Sequence, residues 1–90
     1  MFRDSRIKCE QMGVNCLGDI IEQSKNGKIE ILDKEKKDNG DIEVTLTYGW
    51  PTARLVIKED TIEFHFSYQP FEYRELITDR ELIEKIKQAI

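Results

Sequence analysis

One histidine and two cysteines are the side chains of this chain best suited to acid–base, nucleophilic or metal chemistry. His65 stands in an alternating stretch, and a general base there would need a carboxylate or a nucleophile in a cleft. In a strand its neighbours Glu63 and Ser67 share its face, which is an open sheet surface and not a pocket. We therefore expect His65 to be solvated or lightly hydrogen-bonded, and we predict no catalytic residue.

Cys9 and Cys16 are separated by six residues, which is not the spacing of a zinc knuckle. With His65 as the single histidine, a four-ligand zinc site would also require a carboxylate. In a reducing compartment such thiols are usually free and lie in or near the core. The sequence therefore predicts no disulfide, no metal site and no cofactor.

Motifs for phosphate binding or hydrolysis are missing from the sequence. Nucleotide-binding glycine loops, zinc-protease helices and nucleophile elbows all have defined patterns that do not occur here. The stretch MGVNCLGD, residues 12–19, has two glycines five positions apart but no strand pattern before it. We predict that the protein is not an enzyme.

Aromatic side chains gathered around two prolines are the better candidates for binding. Large aromatic residues are common anchors of protein interfaces, and loops on a rigid scaffold often carry binding sites. The alternative is that these rings fold over the end of a helix and close the core. The partner-binding residues predicted from this pattern are Trp50, Pro51, Tyr68, Phe71 and Tyr73.

The middle of the chain must position these rings, and its alternation of apolar and polar residues predicts an antiparallel β-meander. The predicted strands are 28–35, 41–48, 53–58 and 61–68. A two-residue loop, Glu59-Asp60, joins the last two strands and pairs Leu55 with Phe64. The same register pairs Ile57 with Ile62, Ala53 with Phe66, and Arg54 with His65.

The other two connections of the meander have their own signals. Asn39-Gly40 is a strong hairpin turn between strands 28–35 and 41–48. Between strands 41–48 and 53–58, parity favours a four-residue loop, GWPT, which pairs Leu46 with Leu55 and Val44 with Ile57.

Pro70 is expected to end the last strand because proline has no N–H for the ladder. Phe71 and Tyr73 would then lie in a connecting segment, at the same end of the sheet as the GWPT loop. Strand 61–68 would be an open edge with few protecting charges, and this predicts a homodimer through that strand.

The C-terminal stretch ITDRELIEKIKQAI predicts an amphipathic helix over about 79–89. Thr78 and Glu81 have the spacing of a capping box, and Glu81 and Lys85 pair at i,i+4. The apolar stripe of this helix is formed by Leu82, Ile83, Ile86 and Ile90.

The N-terminal third allows more than one interpretation. Apolar spacing favours a helix from about Asn15 to Gly27, where glycine suits a helix end. The alternative makes DIIEQSK, residues 19–25, a strand that pairs with KIEIL through Asn26-Gly27. Residues 2–12 are compatible with a first helix or an edge strand.

Together these elements predict one α+β domain over residues 1–90, a two-layer sandwich with the helices on one face of the sheet. The other face is expected to be polar and mixed in sign. Its predicted residues are Glu30, Leu32, Lys34, Glu43, Thr45, Thr47, Arg54, Val56, Lys58, Glu63, His65 and Ser67.

Composition limits the function classes. The net charge is −4 and the isoelectric point is near 5.0, which argues against a phosphate-backbone binder of nucleic acid. No apolar run approaches the roughly 20 residues of a membrane span, and the first residues lack the apolar core of a signal peptide. We expect a cytoplasmic protein without a membrane partner.

These observations favour a small acidic module that binds another protein, for example an accessory, immunity or phage-encoded inhibitor protein. The alternative is a small-molecule or nucleotide-binding protein with its site at a dimer interface.

Overall fold

Two helices and five strands follow one another in the part of the chain that the structure describes. This computed structural model describes residues 2–47, 49, 51–68 and 70–90, with side chains from residue 6 onward. The elements are α1 (Phe2–Lys25), β1 (Asp33–Lys36), β2 (Ile42–Thr45), β3 (Thr52–Ile57), β4 (Ile62–Tyr68), β5 (Phe71–Ile77) and α2 (Arg80–Ala89).

The strands form one antiparallel sheet in the order β1-β2-β3-β4-β5, and both helices contribute to the core on one of its faces. Leu55, Ile62, Phe64 and Ile86 are fully buried in that core. The α+β class, the antiparallel meander and the two terminal helices are confirmed. The sheet has five strands, however, where the sequence predicted four.

The β3–β4 hairpin has the predicted register, with Leu55 opposite Phe64 and Arg54 opposite His65. The Lys58 amide donates to the Thr61 carbonyl at 2.9 Å and closes the short loop. Alternation in both strands favours the register that buries Ala53, Leu55, Ile57, Ile62, Phe64 and Phe66 together, so this part of the prediction is correct.

The β2–β3 register differs from the prediction by two residues, because Val44 and not Leu46 lies opposite Leu55. The amides of Leu46 and Thr47 donate to one acceptor, the Ala53 carbonyl, at 2.9 and 3.4 Å, which is the pattern of a β-bulge. The Thr47 hydroxyl donates to the Pro51 carbonyl and accepts from the Ala53 amide, both at 2.9 Å. These bonds lengthen the loop between β2 and β3. Because the register shifts by two residues, each side chain still lies on its predicted face of the sheet.

The segment after Pro70 is strand β5 and not a connection, so that prediction is wrong. Tyr68 and Phe71 lie opposite each other, which places Pro70 in a two-residue turn. Residues in such a turn make no ladder bond, and proline therefore costs the sheet nothing there. As a result β4 is paired on both sides, and the predicted open edge at strand 61–68, on which the homodimer depended, does not exist.

β1 is shorter than predicted and begins at Asp33 instead of residue 28. The Ile29 amide donates to the Ala89 carbonyl of α2 at 2.8 Å, so this segment bonds to a helix and not to the sheet. The turn at Asn39-Gly40 is confirmed, with Gly40 at φ 93°. Lys34 lies opposite Val44 on the helix-covered face, so its predicted place on the polar face is wrong.

α1 is one helix of 24 residues. It includes residues 2–12, which the sequence allows to be a helix or an edge strand, and the helix predicted from about Asn15. The strand alternative for residues 19–25 is therefore wrong. Gly27, at φ 87°, follows the helix end in the conformation that glycine favours. The helix is continuous because its buried positions recur at helical spacing: Cys9, Gly13, Leu17, Ile20 and Ser24.

α2 is confirmed, but its N-cap is Asp79 and not Thr78. One Asp79 carboxylate oxygen accepts from the amides of Glu81 and Leu82 at 3.0 and 3.4 Å. A carboxylate at this position also interacts favourably with the helix dipole, which explains why the cap moves by one residue. Glu81 and Lys85 form the predicted pair at 3.6 Å.

Candidate functional site

A row of three nitrogen-bearing side chains crosses the sheet on the face that the helices leave uncovered. We call this face the outer face. Arg54 on β3 lies opposite His65 on β4, which lies opposite Arg74 on β5. Residues directly opposite in antiparallel strands have Cβ atoms only about 4.5–5.5 Å apart. The register therefore brings two guanidinium groups to either side of one imidazole.

Carboxylates flank this row, and each arginine lies within ion-pair distance of one of them in the described residues. An Arg54 guanidinium nitrogen lies 3.7 Å from a Glu43 oxygen, and His65 Nε2 lies 3.7 Å from Glu63. The Arg74 guanidinium donates to Glu72 at 3.2 Å, two residues away on the same strand. Each arginine thus has one carboxylate contact, although a guanidinium carries five N–H donors.

The electrostatic environment of His65 reflects its central place in the row. Its side chain is mostly buried, with 16% of its surface exposed. Burial and the positive charges of Arg54 and Arg74 lower the pKa of His65 below its usual value, while Glu63 and Glu72 act in the opposite direction. The imidazole is therefore kept neutral at pH 7, and it can donate one hydrogen bond and accept another.

A cavity of about 400 Å³ opens above the row on the outer face. Hydroxyl groups surround the charged side chains, since Thr45, Thr52 and Ser67 also line it. Glu43 and Glu72 contribute carboxylates to the same cavity. Its volume lies within the range of about 300–1,000 Å³ that is usual for small-molecule sites.

The predicted binding rings lie on the opposite side of the sheet, where α1 packs. Tyr68, Phe71 and Tyr73 are half-buried and contact the core, and Pro51 is also half-buried. Trp50 lies outside the described residues. The structure therefore brings three of the five predicted residues together along the β4–β5 hairpin.

Two cations of α1 stand above these rings. The Arg6 guanidinium lies 6.0 Å from the centre of the Phe71 ring, and the Lys8 ammonium lies 5.7 Å from the centre of the Tyr68 ring. Both distances allow cation–π attraction. Through these two side chains, the start of α1 covers the aromatic end of the β4–β5 hairpin.

Tyr73 fixes the hairpin to α1 further along. Its ring packs edge-on against Phe64, with ring centres 6.2 Å apart, and its hydroxyl donates to Glu75 at 3.0 Å. A side chain at Gly13 would come within 2.6 Å of this ring, so the helix approaches β5 closely because glycine stands there.

A second cavity of about 560 Å³ lies at the other end of the molecule, between the β1–β2 turn and the end of α2. Ile42, Ile57 and Ile90 line it together with Lys34 and Lys87. The Lys87 ammonium donates to the Glu59 carbonyl at 3.0 Å, so this lysine already bridges α2 to the β3–β4 loop.

The cysteines are free thiols, with Cys9 buried and Cys16 half-buried. Burial, and secondarily the negative charge of Asp19, raise the pKa of the Cys16 thiol. This thiol therefore stays protonated and is a weak nucleophile at pH 7. Within the described side chains, no three histidine, cysteine or acidic groups come together as metal ligands.

Sequence reasoning placed Arg54, His65 and Ser67 on one polar face but missed Arg74 and Glu72. These two residues belong to β5, a segment that the sequence predicts as a connection. The alternation in FEYRELI, where Phe71, Tyr73 and Ile77 stand at odd positions, was the signal that would have identified the strand.

Comparison with protein-family models, with curated proteins and with solved structures gives no match for this chain. Neither helix, within the residues that the structure describes, has the length and apolar character needed to cross a membrane.

Proposed function

We propose that the protein is a binding module that acts through contact with another protein at the β4–β5 hairpin and along β5. The observation that carries this proposal is the position of β5, a seven-residue strand at one edge of the sheet. An edge strand presents backbone N–H and C=O groups to which an extended segment of a partner can add. A regulatory, immunity or inhibitor protein acts by contacts of this kind.

The composition of the hairpin indicates what kind of segment would fit. Phe71 and Tyr73 are half-buried rings that leave apolar surface beside the free backbone edge. Arg6 stands near the Phe71 ring and Lys8 near the Tyr68 ring of the same hairpin, and both add positive charge. We therefore expect a partner segment that combines apolar and acidic side chains.

Charged side chains on β5 also explain how the edge avoids indiscriminate pairing. Glu72, Arg74 and Glu75 are all exposed along the strand. Charges of this kind are a common protection against edge-to-edge aggregation. A partner must match their alternating signs, which favours selective over general strand addition.

The test compares the chain with a Phe71→Ala variant in capture from cell extract, followed by binding of the purified captured protein. We expect one stoichiometric partner, and Phe71→Ala should weaken its affinity by about 2 kcal/mol or more, roughly 30-fold. Trp50→Ala, which removes another ring that the sequence predicts to bind, should act in the same direction. Leu32→Ala is the matched control, because Leu32 is an exposed apolar residue just before β1, on the other edge.

Denaturant unfolding separates a binding defect from a folding defect. Phe71 is half-buried, so its truncation should cost about 1–3 kcal/mol of stability, less than the 3–5 kcal/mol of a fully buried phenylalanine. The variant then remains folded during the binding measurement. A captured protein that binds Phe71→Ala and the unaltered chain equally well would disprove the proposal.

A further inference from the structure

The row Arg54–His65–Arg74 on the outer face contributes little to stability. Directly opposite residues of neighbouring strands stabilise a sheet when their charges are opposite, but the residue opposite each arginine is the neutral His65. Here two arginines flank a mostly buried imidazole, and the pairs with carboxylates are single contacts of 3.2–3.7 Å. Surface ion pairs of this kind contribute only about 0–1 kcal/mol each.

Both arginines retain donors that point to no other described side chain. Arg54 is 51% exposed and Arg74 is 64% exposed, and each touches one carboxylate. A guanidinium binds phosphate through two parallel N–H donors, which requires that one side of its fork be open. The row therefore offers two forks with an imidazole N–H between them.

We propose that the cavity on the outer face binds a small phosphorylated ligand that also carries hydroxyl groups, such as a sugar phosphate. The phosphate would lie over Arg54, His65 and Arg74. The mixed charge of the cavity fits this ligand better than a bare anion, because Glu43 and Glu72 accept hydrogen bonds from ligand hydroxyls. Thr45, Thr52 and Ser67 add hydroxyl groups around the same cavity. This proposal does not rest on the partner contact proposed above, although the two sites share Glu72 and Arg74 of β5.

The experiment is an NMR titration of the purified chain, followed through its backbone amide signals. The ligands are ribose 5-phosphate, inorganic phosphate, ribose and sodium chloride at matched ionic strength. We expect saturable shifts in β3, β4 and β5 with ribose 5-phosphate, weaker binding of phosphate, and no saturation with ribose or chloride. A phosphate that binds as tightly as the sugar phosphate would disprove the role assigned to the hydroxyl groups.

Arginine variants identify the site. Arg54→Gln and Arg74→Gln should each weaken ribose 5-phosphate binding about tenfold, since each removes charge-assisted hydrogen bonds. Arg80→Gln, an exposed arginine on α2, is the matched control and should bind like the unaltered chain. Because the side chains of Arg54 and Arg74 are both at least half exposed, their variants should fold. Arg54→Lys provides a second measure, since it keeps the charge, loses the fork and should bind with intermediate affinity.

Three results would overturn the proposal. The first is the absence of any saturable shift with ribose 5-phosphate at millimolar concentrations. The second is saturation with unchanged affinity in both Arg54→Gln and Arg74→Gln. The third is a set of shifts confined to the cavity near Lys34 and Lys87, which would assign the anion to the other end of the molecule.

Discussion

The titration of His65 depends on its neighbours on three strands of the sheet. Burial, Arg54 and Arg74 lower its pKa in the folded protein, and the unfolded chain has an ordinary imidazole pKa of about 6.5. The unfolded state therefore takes up a proton first as the pH falls, and stability decreases through and below pH about 6.5. Above that pH the imidazole is neutral in both states and has no such effect.

A comparison of the chain with His65→Gln measures this effect. Glutamine keeps a hydrogen-bonding group but does not titrate, so stability should fall less between pH 7.5 and 5.5 in the variant than in the unaltered chain. Urea unfolding at several pH values gives the difference directly. The carboxyl of Glu63 does not confuse the result, because the bond from Lys58 lowers its pKa and places its effect at more acidic pH. Parallel stability curves for the two proteins would contradict the pKa shift.

At the scale of elements, two glycines of α1 provide a matched pair. A Cβ at Gly13 would lie 2.6 and 2.9 Å from two ring atoms of Tyr73, whereas a Cβ at Gly18 meets nothing within 4 Å. Gly18→Ala should therefore stabilise the protein by about 0.8–1.0 kcal/mol through helix propensity alone. Gly13→Ala gains the same propensity but must displace the ring of Tyr73, which typically costs about 1–3 kcal/mol.

The test is urea unfolding of both variants, together with Gly13→Ala in a Tyr73→Ala background. We expect Gly13→Ala to be less stable than Gly18→Ala by about 1–3 kcal/mol. That difference should largely disappear once the ring is removed, because the two residues would no longer share a contact. Equal stability of the two glycine variants would place α1 elsewhere on the sheet.

The elements also show what the sequence was able to predict. The β3–β4 hairpin was predictable because both strands alternate and one register buries the apolar residues of their alternating positions together. β5 was not, because the rule that proline ends a ladder fails when Pro70 occupies a turn. The first half of α1 was ambiguous because Ile7 and Val14 are exposed apolar residues that blur its buried stripe.

The candidate site, like the fold, was predicted only in part from the sequence. The outer face was predicted as a polar surface, and Arg54 and His65 were correctly placed opposite each other on it. The row of three was missed, since its third member, Arg74, belongs to the unpredicted strand. A site built across strands requires the whole strand order, which local pattern alone does not supply.

For the whole molecule, the strand order determines which backbone amides are protected, and hydrogen exchange can measure that protection. In an antiparallel sheet, successive N–H groups of a strand point alternately to its two neighbours. β4 lies between β3 and β5, so all its interior amides should be protected, whereas an edge strand protects only every second one. β5 should show this alternation, because β4 is its one neighbour in the described part of the chain.

Exchange monitored by NMR under native conditions distinguishes the two arrangements residue by residue. We expect continuous slow exchange over the interior of β4, alternating exchange in β5, and rapid exchange in β1, whose four residues are all exposed. β3 serves as the internal reference, since it is an inner strand in both arrangements. Alternating protection along β4 would restore the open edge at strand 61–68. It would also remove Arg74 from the outer row and the free edge from β5, so both proposed sites depend on this result.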